Sequence, residues 1–130
     1  MARREIKCRS GVTWLDEVNN IVRFEAFEGV EQSLEDAKEN MEAIKQLNGG
    51  QRLGMLVNFR KSKGLTPAAR EYYGSNEVRP LYRALALVGT SYVGRMLANV
   101  WFSIYGDKYC PTRVFASEDD AIAWLKGFAG

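Results

Sequence analysis

The fold of this chain is limited first by the segment Leu53–Phe59. It reads Leu-Gly-Met-Leu-Val-Asn-Phe and is nearly continuous in apolar character. A strand with one solvent-exposed face alternates apolar and polar side chains. A strand that is apolar throughout needs other elements packed on both of its faces. Helices packed on both sides of a parallel sheet provide that cover. The segment therefore predicts a central strand of an α/β domain.

Further strand and helix patterns continue this plan toward the end of the chain. Ala84–Val88 is a second buried strand pattern, and Gly89-Thr-Ser then opens a helical pattern over residues 92–105. Thr112–Ala116 is a third strand pattern, followed by a helix that Ser117 caps. The order of these segments predicts parallel strands joined by helices.

Two helices are predicted in the first half of the chain. Apolar residues recur at helical spacing from Leu34 to Leu47, after a capping box that begins at Ser33, and Asn48-Gly-Gly ends the pattern. Thr66-Pro67 supplies an N-cap and a proline in the first helical position, which predicts a second helix through Tyr73.

The start of the chain predicts an antiparallel hairpin. Val12–Asp16 and Asn20–Phe27 are rich in strand-forming residues. They are separated by residues 17–19, of which the polar Glu17 and Asn19 suit a tight connection. With the later segments, this gives an α/β fold with a mixed sheet of about five strands, in which a hairpin precedes alternating helices and parallel strands. We expect one domain with one core over residues 1–130.

Composition narrows the class of protein. The chain has 46% apolar and 26% charged residues, an ordinary balance for a globular protein. No segment approaches the roughly 18 uninterrupted apolar residues of a membrane span. The first residues contain no apolar stretch typical of a signal peptide, so we expect a cytoplasmic location. The net charge of +2, without a stripe of basic and aromatic residues, argues against nucleic acid as a partner.

The residues available for catalysis form no recognisable motif. Histidine is absent, and the two cysteines lie near opposite ends of the chain. Neither zinc coordination nor a catalytic triad fits such a composition. The remaining candidates have no spacing that joins a nucleophile to a base, and they are Cys8, Asp16, Glu25, Tyr72, Tyr73, Asp107 and Cys110. We therefore predict a protein that is not an enzyme, with no cofactor and no metal site.

Ordered segments along the chain resemble the STAS domains, the fold of the bacterial anti-sigma-factor antagonists such as SpoIIAA. The resemblance is greatest for a divergent STAS-like group of small bacterial proteins without assigned function. The segments that carry it are Val57–Arg70, Ala84–Gly89, Ser91–Asn99, Pro111–Phe115 and Ala121–Leu125. With the hairpin and the first helix, the resemblance covers nearly the whole chain and implies a single STAS-like domain.

Two positions depart from the phosphorylation-regulated members of that family. There, an aspartate ends the central strand, and a later Asp-Ser-Ser-Gly run supplies the phospho-acceptor serine. In this chain Asn58 falls on the strand aspartate and Ala68 on the acceptor serine. Ser62 and Thr66 are nearby hydroxyls, but we favour a capping role for Thr66. The resemblance thus implies a regulatory binding module that contacts a protein partner without a phosphoserine switch.

Loops that follow the predicted strands suggest where a ligand or partner binds. In open α/β sheets, ligands settle beyond the carboxyl ends of the strands, and helix N-termini there suit phosphates and carboxylates. The candidate residues lie in loops that feed two helix N-termini, and they are Lys61, Ser62, Lys63, Gly64, Thr66, Thr90, Ser91 and Arg95. The simpler interpretation, ordinary caps beside a solvated basic loop, carries more weight. A similarity of fold class to the CRAL-TRIO domains leaves a small anionic or lipid-like ligand as the alternative function.

The helical pattern over residues 92–105 is unusually apolar. Its polar residues form one narrow stripe, Arg95, Asn99 and Ser103. One sheet face cannot cover the remaining side chains, which are Met96, Val100, Trp101, Phe102, Ile104 and Tyr105. Tyr109, Pro111 and the terminal helix can complete the burial of these apolar side chains. Alternatively, the apolar side chains can line a lipid pocket. We favour a self-association surface, and therefore a homodimer.

Overall fold

A six-stranded mixed sheet with helices on both faces organises the protein. The computed structural model describes residues 4–89 and 110–128. Its elements in chain order are β1 (Glu5–Lys7), β2 (Gly11–Asp16), β3 (Ile21–Ala26), β4 (Glu31–Gln32), α1 (Leu34–Asn48), β5 (Leu53–Asn58), β6 (Gly64–Leu65), α2 (Pro67–Tyr73), a 3-10 turn (Arg79–Leu81), β7 (Tyr82–Val88), β8 (Thr112–Phe115) and α3 (Glu118–Lys126).

The strand order of the sheet is β1-β2-β3-β5-β7-β8. β1, β2 and β3 pair antiparallel, and every later pairing is parallel. The predicted hairpin is confirmed as β2 and β3. The predicted strand at Leu53–Phe59 is confirmed as β5, which lies between β3 and β7 in the interior of the sheet.

The number of strands differs from the prediction of about five. The main sheet has six strands, and β4 and β6 form a separate two-stranded parallel ribbon. β1, β4 and β6 are only three, two and two residues long. Strands of two or three residues are too short to show an alternating pattern in the sequence. The segment Arg60–Leu65, expected to be loop throughout, ends in β6.

Apolar side chains of the sheet are buried on both faces. On one face, Phe24 and Met55 pack with Met41 and Ile44 of α1. On the other face, Leu56 packs with Leu125 of α3 and with small residues of β7. Adjacent residues of β5 thus point into opposite halves of the core, which is the arrangement that its continuous apolar sequence predicts.

The helix ends match the sequence signals. Ser33 Oγ accepts a hydrogen bond from Asp36 N at 3.2 Å, and Ser33 N donates to Asp36 Oδ2 at 2.9 Å, which completes the capping box of α1. α1 ends at Gly49, whose φ of 60° lies in the left-handed region that favours glycine. Thr66 caps α2 and Ser117 caps α3 through their side chains.

The helix predicted over residues 92–105 lies outside the described residues. The same is true of Thr90, Ser91 and Arg95, and of the predicted interface residues Met96, Val100, Trp101, Phe102 and Tyr105. Among the helices of residues 4–89 and 110–128, none has the length and apolar character needed to cross a membrane.

Candidate functional site

The carboxyl ends of β3, β5, β7 and β8 meet at one edge of the sheet, because these four strands are parallel. The segment Arg60–Leu65, here called the basic loop, follows β5 at this edge and leads into α2. This is the edge at which open α/β sheets place their ligands. The predicted residues from Lys61 to Thr66 therefore share one region of the fold.

Backbone hydrogen bonds hold the basic loop against the segment that follows β3. Gly29 N donates to Lys61 O at 2.9 Å, and Lys63 N donates to Val30 O at 3.1 Å. Ser62 N donates to Phe59 O within the loop at 3.0 Å. The side chains of Lys61 and Lys63 remain exposed. The loop thus presents two ammonium groups from a fixed backbone.

The β4–β6 ribbon fixes the entry into α2. Gly64 pairs with Glu31, and Thr66 N donates to Gln32 O at 2.9 Å. Gly64 has a φ of 109°, a backbone conformation that only glycine adopts readily. The first turn of α2 is therefore set in position from the N-terminal half of the chain.

Both hydroxyl oxygens of this region accept hydrogen bonds from the backbone. Thr66 Oγ1 accepts from Ala69 N at 3.2 Å, and Ser62 Oγ accepts from Gly64 N at 2.9 Å. These bonds stabilise the loop and the helix start. The structure therefore gives Thr66 the capping role that the sequence favoured.

A cleft of about 240 Å³ lies beside Lys61. Glu25 and Glu28 line it together with Lys61, and Phe27 contributes an aromatic ring that is 38% exposed. Two carboxylates and one ammonium group give the cleft a net negative charge, which disfavours binding of an anion next to Lys61. The sequence did not identify Phe27 and Glu28 as site residues, because Phe27 was assigned to the predicted strand Asn20–Phe27, whereas β3 ends at Ala26.

Arg60 joins the ends of three strands. Its Nη2 donates to Ala116 O beyond β8, and its backbone N donates to Asn58 Oδ1 at 3.1 Å. Gly89, which follows β7, packs directly on it. A Cβ at Gly89 would lie 2.7 Å from Arg60 Cγ. Arg60 therefore stabilises the sheet edge and is not a mobile cation of the basic loop.

Asn58 occupies the position that the family resemblance assigns to an aspartate. Its Nδ2 donates to Glu118 Oε1 at 2.8 Å, at the start of α3. Arg23 Nη2 pairs with the other oxygen of Glu118, and the Arg23 guanidinium lies 5.3 Å from the Trp14 ring centroid. An amide at position 58 donates to a carboxylate here, which an aspartate could not do unless protonated.

Asp16 extends this group of polar residues. Arg23 Nη1 lies 3.5 Å from Asp16 Oδ2, and Asn19 donates to both Asp16 oxygens. Burial opposes ionisation of Asp16, but the hydrogen bonds from Asn19 and the charge of Arg23 outweigh it, so its pKa is lowered. Asp16 is thus an ionised partner of Arg23 at neutral pH, with little basicity for proton transfer.

Asp16 lies opposite Ile21, at the edge where the parallel strands begin, and the other candidates for chemistry do not join it. Burial, assisted by Glu39 and Asp36, raises the pKa of the Cys8 thiol, which opposes formation of a reactive thiolate. Burial raises the pKa of Tyr73 to about 12. Cys110 is buried. Within residues 4–89 and 110–128, no three His, Cys, Asp or Glu side chains are grouped to hold a metal ion.

The protein that presents this sheet edge has a SpoIIAA-like fold. A protein from Shewanella loihica PV-4, described as an uncharacterized DUF3478 family member with a SpoIIAA-like fold, superposes with a TM-score of 0.61. The superposition covers 95% of this chain and 92% of that chain at 14% identity. A family profile described as a domain of unknown function, DUF7793, matches residues 13–129, and the chain belongs to this family.

A second solved structure also matches. A protein of unknown function from Arthrobacter sp. FB24 is 30% identical over 93% of this chain and 96% of that chain, with a TM-score of 0.30. A comparison with curated proteins gives no match.

Proposed function

We propose that this protein is a non-catalytic, SpoIIAA-like binding module that contacts another protein through the basic loop and the first turn of α2. The observation that carries the proposal is the exposed Ala68. The resemblance to the phosphorylation-regulated STAS domains assigns it to their phospho-acceptor position, and alanine has no hydroxyl. The contact is therefore constitutive and independent of phosphorylation at this position.

The geometry of the loop supports a preformed contact surface. The backbone of Lys61 and Lys63 is hydrogen-bonded to the segment after β3, and the backbone of Thr66 is hydrogen-bonded to β4. A surface that is already ordered loses less conformational entropy when a partner binds. Pro67 and Ala68 are exposed beside it, while Ala69 is fully buried. The first turn of α2 thus combines a buried anchor with a small, accessible outer face.

The test compares two alanine-to-arginine variants. Ala68→Arg places a long charged side chain on the proposed surface, and Ala123→Arg makes the same change at an exposed position of α3, on the opposite face of the sheet. Tagged wild type and both variants are purified from the native cells, and co-purified proteins are quantified by mass spectrometry. We expect one partner to be lost with Ala68→Arg, retained with Ala123→Arg and unaffected by phosphatase.

Two outcomes would remove the proposal. One is recovery of the same proteins with both variants. The other is a partner that phosphatase treatment releases, because the contact would then depend on phosphorylation of one of the two proteins.

The alternative function, binding of a small anionic or lipid-like ligand at the carboxyl edge, has less support. Glu25 and Glu28 share the cleft of Lys61, and the oxygens of Ser62 and Thr66 accept from the backbone. Titration with inorganic phosphate at low and moderate salt tests it. An affinity that falls in Lys61→Ala and Lys63→Ala would promote this function above protein binding.

A second copy of the chain is one form that the partner can take. The apolar helix predicted over residues 92–105 motivates this proposal.

A further inference from the structure

An exposed aromatic ring lies in the cleft beside Lys61. Within the described residues, the exposed large apolar side chains are Val18, in the β2–β3 turn, and Phe27, which is 38% exposed. Val18 projects from a turn, whereas Phe27 lines a concave site together with Glu25 and Glu28. An aromatic ring beside convergent polar groups is typical of a binding site.

The backbone on both sides of Glu28 is held by hydrogen bonds. Phe27 N donates to Ser10 O at 2.9 Å, just before β2, and Gly29 N donates to Lys61 O at 2.9 Å in the basic loop. The residues that line the cleft are thus ordered before anything binds, which lowers the entropic cost of binding.

The other carboxylate of the cleft comes from the sheet. Glu25 of β3 lies directly opposite Val12 of β2. Its neighbour Phe24 packs in the core on the side of α1, so Glu25 and Val12 point to the other face of the sheet. Val12 adds apolar lining to the cleft. A carboxylate, a valine and an aromatic ring therefore meet at this point.

Both carboxylates are available to a binding partner. Within residues 4–89 and 110–128, the side chains of Glu25 and Glu28 take part in no ion pair or hydrogen bond. Lys61 lines the same cleft but lies beyond ion-pair distance of both. Two negative charges and one positive charge leave the cleft negative, which favours a cationic group.

The volume of the cleft suits one side chain. At about 240 Å³ it is smaller than the roughly 300–1,000 Å³ of sites that enclose a small organic ligand. A side chain of a partner protein needs only such a cleft, because the surrounding surfaces supply the rest of the affinity.

We propose that this cleft receives an arginine side chain of the protein partner. The guanidinium group lies between Glu25 and Glu28, and its flat face stacks on the ring of Phe27. Arginine suits the cleft because one planar group can both donate to carboxylates and stack on an aromatic ring. The inference rests on the proposed protein contact and names the chemistry of the partner, since the cleft shares Lys61 with the basic loop.

The other role that Glu25 and Glu28 can have is to be solvated surface charges. That role predicts no affinity that distinguishes arginine from an uncharged side chain of the same shape. The proposed role predicts an affinity that depends on both carboxylates and on the ring of Phe27.

The first test uses the isolated protein and three blocked tripeptides, Gly-Arg-Gly, Gly-Lys-Gly and Gly-citrulline-Gly. Citrulline keeps the shape of arginine without its charge. Titrations are followed by amide chemical shifts in NMR spectra, and the largest shifts are expected at Phe27, Glu28 and Gly29. We expect the arginine peptide to bind about tenfold more tightly than the citrulline peptide, and also more tightly than the lysine peptide. Added salt should weaken this binding.

Variants assign the affinity to the cleft. Glu25→Gln and Glu28→Gln should each weaken binding of the arginine peptide about threefold, the size of one exposed ion pair. Phe27→Leu removes the aromatic face and should have a similar effect of about threefold. Lys61→Gln should strengthen binding about twofold, because it removes a repulsive charge. Glu17→Gln, at an exposed carboxylate of the β2–β3 turn, is the matched control and should change nothing.

Three results would overturn the arginine site. One is an equal affinity for the arginine and citrulline peptides. Another is an affinity for the arginine peptide that neither Glu25→Gln nor Glu28→Gln changes. The third is equal binding of the arginine and lysine peptides, because arginine would then have no advantage from its planar group.

The second test adds Glu28→Lys to the co-purification experiment with Ala68→Arg, and Glu17→Lys is its matched control. We expect the partner to be lost with Glu28→Lys and retained with Glu17→Lys. A partner that is lost with Ala68→Arg but retained with Glu28→Lys would leave the protein contact in place and overturn the arginine site. A partner that both variants retain would overturn both proposals.

Discussion

Asp36 connects the turn after β1 to the first turn of α1. Its side chain is buried and accepts from Arg9 Nε at 2.7 Å and from Ser33 N at 2.9 Å. The hydrogen bond from Arg9 is the main cause that lowers the pKa of Asp36 to about 2, with Ser33 contributing and burial opposing. The ionised carboxylate thus stabilises the folded state at neutral pH.

Replacing Asp36 with asparagine should destabilise the protein by about 2 kcal/mol at pH 7, the energy that corresponds to its lowered pKa. A carboxyl group whose pKa is depressed on folding contributes above its unfolded pKa, and the contribution is lost as the pH falls from about 4 through about 2. Urea unfolding at several pH values measures this. The cost of Asp36→Asn should therefore shrink toward pH 2.

Glu35→Gln is the control for this prediction, because Glu35 is an exposed carboxylate in the same helical turn. Its effect should stay below about 0.5 kcal/mol. An equal cost for Asp36→Asn at pH 7 and pH 2 would show that the ion pair with Arg9 does not stabilise the fold.

Gly89→Ala should be strongly destabilising. Gly89 has a φ of 130°, and the added Cβ would lie 2.7 Å from Arg60 Cγ and 2.8 Å from Arg60 N. Gly50→Ala is the matched control, since Gly50 has a φ of 86° but open space around the new methyl group. Thermal unfolding should show Gly89→Ala to be worse by about 1–3 kcal/mol. Equal effects would mean that backbone strain alone accounts for both.

Separate elements meet at a buried cluster of polar side chains. Asn40 Nδ2 of α1 lies 3.0 Å from Ser10 Oγ before β2 and 3.3 Å from Gln32 Oε1 of β4. Tyr73 Oη of α2 donates to the same Gln32 oxygen at 2.6 Å. These bonds position α1 and α2 relative to the hairpin, in a region where a lost partner is costly.

Tyr73→Phe tests this cluster. Removal of the hydroxyl should lower the free energy of unfolding by about 1–2 kcal/mol, because buried amide groups of Asn40 and Gln32 lose a partner. The adjacent Tyr72→Phe, at a half-buried residue outside the cluster, should cost less than about 0.5 kcal/mol. Denaturant unfolding of both variants gives the comparison, and indistinguishable midpoints would refute a structural role for the cluster.

The sequence predicted the long elements because their signals are local. Ser33, Thr66 and Ser117 identified three helix starts, and the apolar run of β5 identified the interior strand. β1, β4 and β6 were missed because strands of two or three residues are too short to show an alternating pattern. The cleft that Phe27 and Lys61 line was not predicted, because it joins residues that are distant in sequence.

Self-association is the prediction that concerns the whole molecule. The apolar residues over 92–105 lead us to expect a dimer in sedimentation or light-scattering measurements of dilute protein. Trp101→Lys should shift the protein toward monomer, because a charge at an apolar interface opposes association. Val18→Lys is the control, since it replaces an apolar side chain that is 93% exposed in the β2–β3 turn. A wild-type protein that is monomeric at all concentrations would remove the dimer proposal.

The interior position of β5 has a consequence for proteolysis. β5 pairs with β3 on one side and β7 on the other, and both of its faces are buried. If a protease cuts between β5 and β7 and the two pieces separate, the N-terminal piece exposes the edge of β5 that had paired with β7. Such edges recruit other chains and aggregate. We therefore expect nicked protein to precipitate when its fragments part, so this domain resists being divided into working halves.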